Sequence, residues 1–464
     1  MMKTKKSQII YSLIVGFSIV LLAHPTAVLR AAQEVVSITD TAEQLFVKLK
    51  HDRSKLKDFL VAMPKGGVLH MHFGGEIDPD LQIDIARDQD YYLRIDQSAI
   101  GMIGLGGWDA SFKIISRDTY RQRVLPEHRD KFQLVRDWLK QNPDGRAVLR
   151  ERLTMQYEEP IDEFFDTIWI RKGELFNREL FPIYLKHVLE RAHEQAISYL
   201  ELRESPFSTP DTSLAEAKTA VARWAQAVDQ TNKQWPPAER VEVRYVVTVH
   251  RGRPTAPAML EKAFALAASD DADERDLVVG VDLLGLENTG PPTKFIRALR
   301  QARARYPNVH LTMHAGESNI IDSNVRDSIL LGAERIGHGA NMAQDKLNAM
   351  DLAKENDILI EVSLISNYLL LKRAIKDHPI KTYLSMGIPV SLNTDDGGIF
   401  NSTMTDEFLE AAATLDIGWQ QLRRLCENSL LYSFARADDK QELLTRWRSR
   451  WQAFEVNPQK RWQK

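Results

Sequence analysis

Eight short apolar runs, each ending in polar residues, alternate with helical segments along most of this chain. The runs are 68–72, 197–203, 241–249, 277–285, 309–314, 334–338, 358–363 and 388–394. Helical periodicity lies between most of them, at 180–196, 214–232, 258–268, 291–305 and 344–356. Near-continuous apolar strands that alternate with helices are typical of a parallel sheet covered by helices. Eight such units predict an α/β fold, a closed (β/α)8 barrel of the TIM type.

The barrel is predicted to occupy residues 63–464, with additions at both sides of its first strand. Apolar residues at helical spacing predict a helical N-terminal extension over 33–62. The segment from about 74 to 165 is far too long for one βα loop, so it must carry structure of its own, including a helix over 130–139. This insertion is a cap over the site, a dimer surface that would make the protein a homodimer, or a helical insertion packed on the barrel side. The sequence leaves these three interpretations open.

The N-terminus differs from the rest of the chain. Three lysines within the first six residues precede a mostly apolar stretch at 9–23, which His24 and Pro25 then break. A basic segment followed by about fifteen apolar residues is typical of an export signal and short for a membrane span. We therefore predict a signal peptide over 1–32 and a periplasmic or secreted protein. The alternative is an uncleaved segment, which would be its only contact with a membrane.

Charge and cysteine content exclude two classes of protein. The net charge is −3 and the pI is near 6.5, whereas nucleic-acid binding normally requires a basic excess. No nucleic-acid partner is therefore expected. Cys426 is the only cysteine, so an intramolecular disulfide is impossible, and its helical spacing among leucines predicts a buried hydrophobic residue.

Polar residues at the ends of three predicted strands form a candidate metal site. His70 and His72 are two residues apart on a strand, so both imidazoles point to one face. His314 ends the fifth run, and Asp395 follows the eighth, which lies beside the first in a closed barrel. Catalytic zinc uses three or four nitrogen and oxygen ligands and keeps one position for water. We call these four residues the predicted ligands.

Two observations refine the metal prediction. His310 lies on the same strand as His314 but roughly 13 Å away, at about 3.3 Å per residue, so it cannot bind the same ion. Residues 277–287 contain no lysine of the kind that bridges two ions in dinuclear barrels. One ion per chain is expected, and imidazole with carboxylate favours Zn²⁺, although Fe²⁺ or Co²⁺ would suit the same geometry.

The order of these motifs resembles the adenosine deaminase family of the metal-dependent amidohydrolase superfamily. The motifs are His-x-His at 70–72, His-Ala-Gly-Glu at 314–317, Arg-Ile-Gly-His-Gly at 335–339 and Ser-Leu-Asn-Thr-Asp-Asp at 391–396. The resemblance as a whole extends from Met63 to Phe400. Met63-Pro64-Lys65, the segment 364–367 and the export signal are more similar to the secreted, growth-factor-related branch of that family.

This resemblance implies a role for each motif residue. The predicted ligands would bind zinc, and Glu317 would donate a proton to N1 of a purine, for which burial must raise its pKa. His338 would orient a zinc-activated water and help to deprotonate it. Asp396 would bond the N7 edge, and Gly285 would offer its backbone N–H toward N3. The implied activity is hydrolytic deamination of adenosine, and of 2′-deoxyadenosine, to the inosine product and ammonia.

Two positions depart from the family pattern. Gly74 stands where the family commonly has an aspartate that contacts the ribose, and Gly397 stands where it usually has a proline after the paired aspartates. Because of Gly74, deamination of another 6-aminopurine stays open as an alternative. A secreted binding or signalling protein without turnover is the alternative from a different class.

Overall fold

An eight-stranded parallel sheet forms the centre of the structure, a computed structural model that describes residues 40–95, 113–161, 164, 168–269, 276–345 and 347–458. Its strands pair in the order in which they occur along the chain. They are β1 Gly66–His72, β2 Ile197–Arg203, β3 Glu242–His250, β4 Val278–Leu284, β5 His310–Ala315, β6 Arg335–His338, β7 Leu359–Val362 and β8 Val390–Leu392. All eight predicted strands are confirmed, and each observed end lies within two residues of the prediction.

The first and last strands meet and complete the barrel. Met71 and Asp395 form a parallel bridge, in which the His72 N–H donates to the Asp395 carbonyl at 2.8 Å and the Asp395 N–H donates to the His70 carbonyl at 3.1 Å. The Asn393 side-chain oxygen accepts from the N–H of His70 at 3.0 Å. The predicted closed (β/α)8 architecture is therefore confirmed, and its closure lies at the predicted ligands.

Helices cover the outside of the barrel. They are Phe181–Glu194, Leu214–Asn232, Ala256–Ala267, Ile296–Arg305, Asn324–Leu330, Ala349–Glu355, Leu364–Leu371, Ile380–Met386, Met404–Leu409, Trp419–Leu431 and Ala437–Val456. Leu214–Asn232 illustrates the local causes. Ser213 and Glu216 form a capping box at its start, and its buried residues recur at helical spacing on the face that packs inward.

Between residue 40 and β1, the structure has two helices, Ala42–Leu49 and Arg53–Ala62. Their aromatic residues pack on the C-terminal helices, with ring centroids 5.5 Å apart for Phe46 and Trp419 and 5.3 Å apart for Phe59 and Phe454. The predicted signal peptide and the first residues of the predicted extension lie outside the described residues. Within the described ranges, no helix is long and apolar enough to cross a membrane.

The insertion after β1 combines helices with a small sheet. The helices are Phe73–Glu76, Pro79–Asp88, Arg117–Arg123, Val135–Gln141 and Gly145–Leu153, and the antiparallel strands are Tyr92–Arg94, Ile114–Ile115 and Phe132–Leu134. The helix predicted over 130–139 is wrong at its start. It begins at Val135, because residues 132–134 pair with the strand Tyr92–Arg94. Met155 and Phe164 pack on Leu370 and Phe400, so the insertion contacts the loops at the end of β8.

Candidate active site

The four predicted ligands converge at the C-terminal end of the barrel. His72 Nε2 lies 3.1 Å from His314 Nε2, and Asp395 Oδ1 lies 3.3 Å from His70 Nε2 and 3.2 Å from His72 Nε2. His70 Nε2 is buried and has no hydrogen-bond partner among the described residues. Three imidazole nitrogens and a carboxylate oxygen at this spacing are a donor set that fits a tetrahedral divalent metal ion.

The barrel explains why residues so far apart in sequence meet here. His70 and His72 lie on the same face of β1, His314 comes from β5, and Asp395 lies at the closure between β8 and β1. Asp395 has a φ of 61°, in the left-handed region that residues other than glycine rarely adopt. Such a backbone costs about 1–3 kcal/mol and persists only where its surroundings enforce it. The two hydrogen bonds of the closure provide that enforcement.

Buried carboxylates orient two of the imidazoles. His70 Nδ1 lies 3.1 Å from Glu361 Oε2, and His314 Nδ1 lies 3.1 Å from Asp282 Oδ1. A carboxylate only accepts, so it places the proton of a neutral ring on Nδ1 and leaves the lone pair of Nε2 free for a metal. Both rings are therefore prepared to bind through Nε2.

Arg203 lies between these two carboxylates. It donates to Asp282 Oδ2 at 2.7 Å and also to Glu361, whose other oxygen lies 2.8 Å from Arg335 Nε. All four side chains are buried. Burial alone would raise the pKa of both carboxyl groups, but the arginines hold the pKa of Asp282 and of Glu361 well below their usual range. The carboxylates therefore stay ionised beneath the predicted ligands.

Sequence reasoning missed Arg203, Asp282 and Glu361. Asp282 and Glu361 are charged residues inside otherwise apolar strands, and Arg203 ends a strand that also contains Glu201; these charges were the available signal. A charged residue is almost never fully buried without a partner, so charges on three strands of one barrel indicate a shared internal network.

Glu317 and His338 lie over the metal site. The His338 Nε2 atom is 3.6 Å from Glu317 Oε1, and both side chains are buried. Burial, reinforced by the nearby Asp395 and Glu287 carboxylates, raises the pKa of Glu317 well above its usual value. Glu287 also accepts the backbone N–H of Glu317 at 2.6 Å, which fixes the loop. Glu317 therefore has the raised pKa that the sequence analysis required of a proton donor.

By distance alone, His338 could replace His72 in the metal site. Ligand atoms of His70, His314, His338 and Asp395 all lie within 4.8 Å of one another. The second nitrogen of His338 has a different kind of partner, however. Its Nδ1 lies 3.1 Å from the side-chain amide nitrogen of Asn367, a donor rather than a carboxylate.

One short helix supports both sides of this site. Leu364–Leu371 carries Ser366, whose hydroxyl donates to Asp395 Oδ2 at 2.7 Å, and Asn367, which contacts His338. Glu407 accepts the backbone N–H of Leu364 at 2.7 Å at the start of this helix, and burial raises the pKa of Glu407 to about 8. The position of this helix therefore sets the positions of the Asp395 and His338 side chains.

The loop around Asp396 explains one departure from the family pattern. Gly397 donates its N–H to Glu76 Oε2 at 3.2 Å, a bond that proline could not make. Asp396 packs against Gly75, where a Cβ atom would lie 1.5 Å from Asp396 Oδ1. That oxygen is buried and has no hydrogen-bond partner in the described part of the chain, so it is available to a ligand.

The other departure, Gly74, also has a physical cause. A Cβ atom on Gly74 would lie 2.7 Å from Cε2 of Phe176, so the aromatic ring occupies the space that an aspartate would need. Phe176 itself lines the active-site cavity. The chain therefore has an apolar wall where the family commonly has a carboxylate.

A cavity of about 540 Å³ leads from the surface to the site. Glu317, Asp396 and Gly285 line its inner part, so the structure places all the predicted substrate-binding residues on one cavity. Gly285 has a φ of 100°, and a Cβ there would lie 2.9 Å from the His250 ring.

Phe164, Trp169 and Phe176 from the chain between β1 and β2 form an aromatic wall. His310, by contrast, lies away from the cavity and pairs with Glu334 at 2.6 Å.

Comparison with known proteins agrees with this geometry. The family model described as adenosine deaminase matches residues 142–449. The chain belongs to the adenosine deaminase family. The predicted resemblance is thus confirmed, and the protein is a hydrolase of a family that deaminates purines.

Relatives within and around the family differ in their substrates. The chain is 27% identical to adenosine deaminase 2-A of Danio rerio, over 88% of this chain and 83% of the relative. It is 26% identical to an adenine deaminase of Rhodopseudomonas palustris, over 84% and 94%. A solved amidohydrolase of Burkhoderia ambifaria with bound zinc has the same fold, with a TM-score of 0.57, 18% identity and coverage of 91% and 96%.

Replacing Arg203 tests the buried network. Arg203→Met leaves Asp282 and Glu361 buried with one cation fewer, and we expect the free energy of unfolding to fall by about 3–5 kcal/mol. Urea unfolding of the metal-free protein at neutral pH measures this loss. The matched control is Arg305→Met, whose side chain is 70% exposed and pairs with Glu261 at 2.9 Å. Arg305→Met is expected to change the free energy of unfolding by less than about 0.5 kcal/mol. An equal loss of unfolding free energy in both variants would contradict the proposed role of the buried network.

Proposed function

We propose that this protein catalyses the hydrolytic deamination of adenosine and of 2′-deoxyadenosine, using one zinc ion per chain. The observation that carries the proposal is the arrangement of Glu317. Its buried carboxyl group lies beside His338, above four converging metal ligands, at the inner end of a cavity that Asp396 also lines. A binding protein would have no chemical use for a proton donor at this place.

The reaction requires two proton transfers besides the exchange at carbon. A C6–O bond forms and the C6–N bond breaks, while one hydrogen of water ends on N1 and the other on the departing ammonia. A zinc ion held by the predicted ligands would lower the pKa of water to about 7 and so supply hydroxide near neutrality. The identity of the ion as zinc is part of this proposal, supported by the imidazole and carboxylate donors.

Glu317 and Asp396 divide the recognition of the base between them. Glu317, held in its acid form by burial, donates to N1 as negative charge develops on the ring. Asp396 is adjacent to Asp395, and burial together with Asp395 raises its pKa well above the usual value. Asp396 can therefore keep its proton, and its free Oδ1 can donate a hydrogen bond to N7 of the purine, which only accepts. Gly285 presents its backbone to the opposite edge of the base.

Glu204 supports a nucleoside rather than a free base or a nucleotide. It follows Arg203 at the end of β2 and lines the cavity together with His72. Burial raises the pKa of Glu204 to about 7. A carboxyl group here can bond a sugar hydroxyl, whereas it would repel a phosphate. We propose that Glu204 provides the sugar contact that Gly74 cannot make.

The cellular location belongs to the same proposal. The basic and apolar residues of the segment 1–32 support export to the periplasm or outside the cell. A homodimer stays a prediction, as do the domain boundaries at residues 32 and 63.

The substrate can be tested by following the ultraviolet change of adenosine. We expect kcat/KM for adenosine to exceed that for adenine and for adenosine 5′-monophosphate at least tenfold, about 1.4 kcal/mol in transition-state binding. Glu204→Leu should reduce the preference for adenosine over adenine. Faster turnover of adenine or the monophosphate would contradict the proposed substrate. A metal-loaded protein that binds purines without turnover would favour the binding-protein alternative.

The proton donor can be tested with Glu317→Gln. This change keeps the shape of the side chain and removes its acid, so kcat should fall by about 10²–10⁴-fold with substrate binding retained. Steady-state kinetics and equilibrium binding of adenosine measure the two effects. Glu334→Gln, a half-exposed glutamate that pairs with His310, is the control and should leave kcat unchanged. Undiminished turnover in Glu317→Gln would exclude the proposed role.

The metal site can be tested by metal analysis of purified variants. We expect one zinc per chain in the native protein, and its loss in His314→Ala, because the ring supplies one of four ligands. His310→Ala is the matched control on the same strand and should retain the full metal content, since His310 pairs with Glu334 away from the site. Equal metal content in both variants would contradict the assigned ligand set.

A further inference from the structure

His338 ends a directed chain of hydrogen bonds that starts at a backbone N–H. The Ile380 N–H donates to His378 Nδ1 at 3.2 Å, His378 Nε2 lies 3.2 Å from the Asn367 side-chain oxygen, and Asn367 Nδ2 lies 3.1 Å from His338 Nδ1. His338, Asn367 and His378 are all buried. Because water is excluded, each polar atom depends on the partner that the protein supplies.

The direction of this chain follows from its first member. A backbone N–H can only donate, so His378 Nδ1 must accept and the proton of the neutral ring lies on Nε2. Burial lowers the pKa of His378 to about 3, in agreement with a neutral ring. His378 then donates to the amide oxygen of Asn367, which directs the NH₂ group of Asn367 toward His338.

The same logic fixes the tautomer of the last ring. His338 Nδ1 faces a donor, so it must accept, and a proton on that atom would oppose the NH₂ group of Asn367. The proton of His338 is therefore on Nε2, which points toward Glu317 and has no hydrogen-bond partner among the residues that the structure describes. This is the opposite of His70 and His314, whose Nδ1 atoms face carboxylates.

We propose that Asn367 and His378 are positioning residues that hold His338 as the tautomer protonated at Nε2. A ring in this state has no lone pair to offer a metal at Nε2, so His338 stays out of the ligand set although its distances would allow it. It also cannot take a proton from water at that atom. His338 instead donates a hydrogen bond to the oxygen of the attacking water.

The catalytic part of this inference rests on the proposed deaminase function, and it changes the expected division of roles. With His338 as a donor, Glu317 is left as the proton carrier of the site. Glu317, in its acid form, would donate its proton to N1 and regain one from water; it would then donate that proton to the departing nitrogen and regain one from the C6 hydroxyl. The hydrogens of one water are thereby accounted for, and no further reactant is needed.

The tautomer can be read by NMR of the metal-free protein with isotopically labelled histidine. Long-range ¹H–¹⁵N correlations distinguish a protonated from a bare ring nitrogen, and the His338 signals can be assigned by their loss in His338→Gln. We expect His338 to show a protonated Nε2 and a bare Nδ1, and His70 and His314 to show the reverse. A proton on Nδ1 of His338 in the native protein would overturn the proposal, whether or not any purine is deaminated.

The variant Asn367→Asp tests the cause of this tautomer. A carboxylate accepts from both neighbours, so His338 should switch to the form protonated at Nδ1 while His378 stays unchanged. In the metal-loaded enzyme kcat should fall about 100-fold or more with KM changed less than about threefold, since ground-state binding is kept. Asn356→Asp, on the protein surface, should alter neither property. A folded Asn367→Asp protein with an unchanged His338 tautomer would overturn the proposal, and if this variant does not fold, the native spectrum alone decides.

Discussion

The active site depends on two negative charges that the barrel keeps in its interior. Asp282 and Glu361 are fully buried, and neither could stay ionised without the arginines that lie against them. Once ionised, they determine which nitrogen of His70 and of His314 carries a proton. The geometry of the metal ligands is therefore set one layer below them, by a buried ion network. Loss of one cation there would disturb folding and metal binding together.

On the other side of the site, the residue that orients a histidine ring is a hydrogen-bond donor rather than an acceptor. Carboxylates face the far nitrogens of His70 and His314, whereas an amide NH₂ group faces the far nitrogen of His338. Identical side chains in one cluster are thus given different chemical states by their neighbours. Distances show which side chains can bind one metal ion. The hydrogen-bond partner of the other ring nitrogen decides whether an imidazole has a lone pair for the metal or a proton to donate.

Much of the fold and of the site could be predicted from sequence because both follow from strand periodicity. His70 and His72 share a face through the two-residue alternation of β1, and the count of eight units places Asp395 beside them. Contacts between strands across the barrel were harder to predict from the sequence. Asp282 and Glu361 are single charges in apolar strands, Arg203 shares its strand with Glu201, and the partners of all three come from other strands. The Asn367 contact depends on the position of a helix, which no local pattern in the sequence specifies.

The insertion after β1 was the least predictable part. Its small sheet consists of strands of two or three residues, which are too short for a periodic pattern, and the predicted helix therefore included residues 132–134. The space beside Gly74 was equally inaccessible, because Phe176 reaches it from a distant part of the chain. Sequence patterns report what a segment does along its own length, whereas these features arise where segments meet.

The aromatic wall of the cavity has a consequence for how such a protein can change over evolutionary time. Phe164, Trp169 and Phe176 come from the chain between β1 and β2, whereas the predicted ligands come from the ends of β1 and β5 and from the closure after β8. Mutations in that connecting chain can reshape the space offered to a substrate without altering the metal ligands. The residues that select the substrate are thereby separate in sequence from the residues that bind the metal ion and carry out the reaction. A descendant could acquire a new substrate through changes in the aromatic wall while it keeps the same metal ligands.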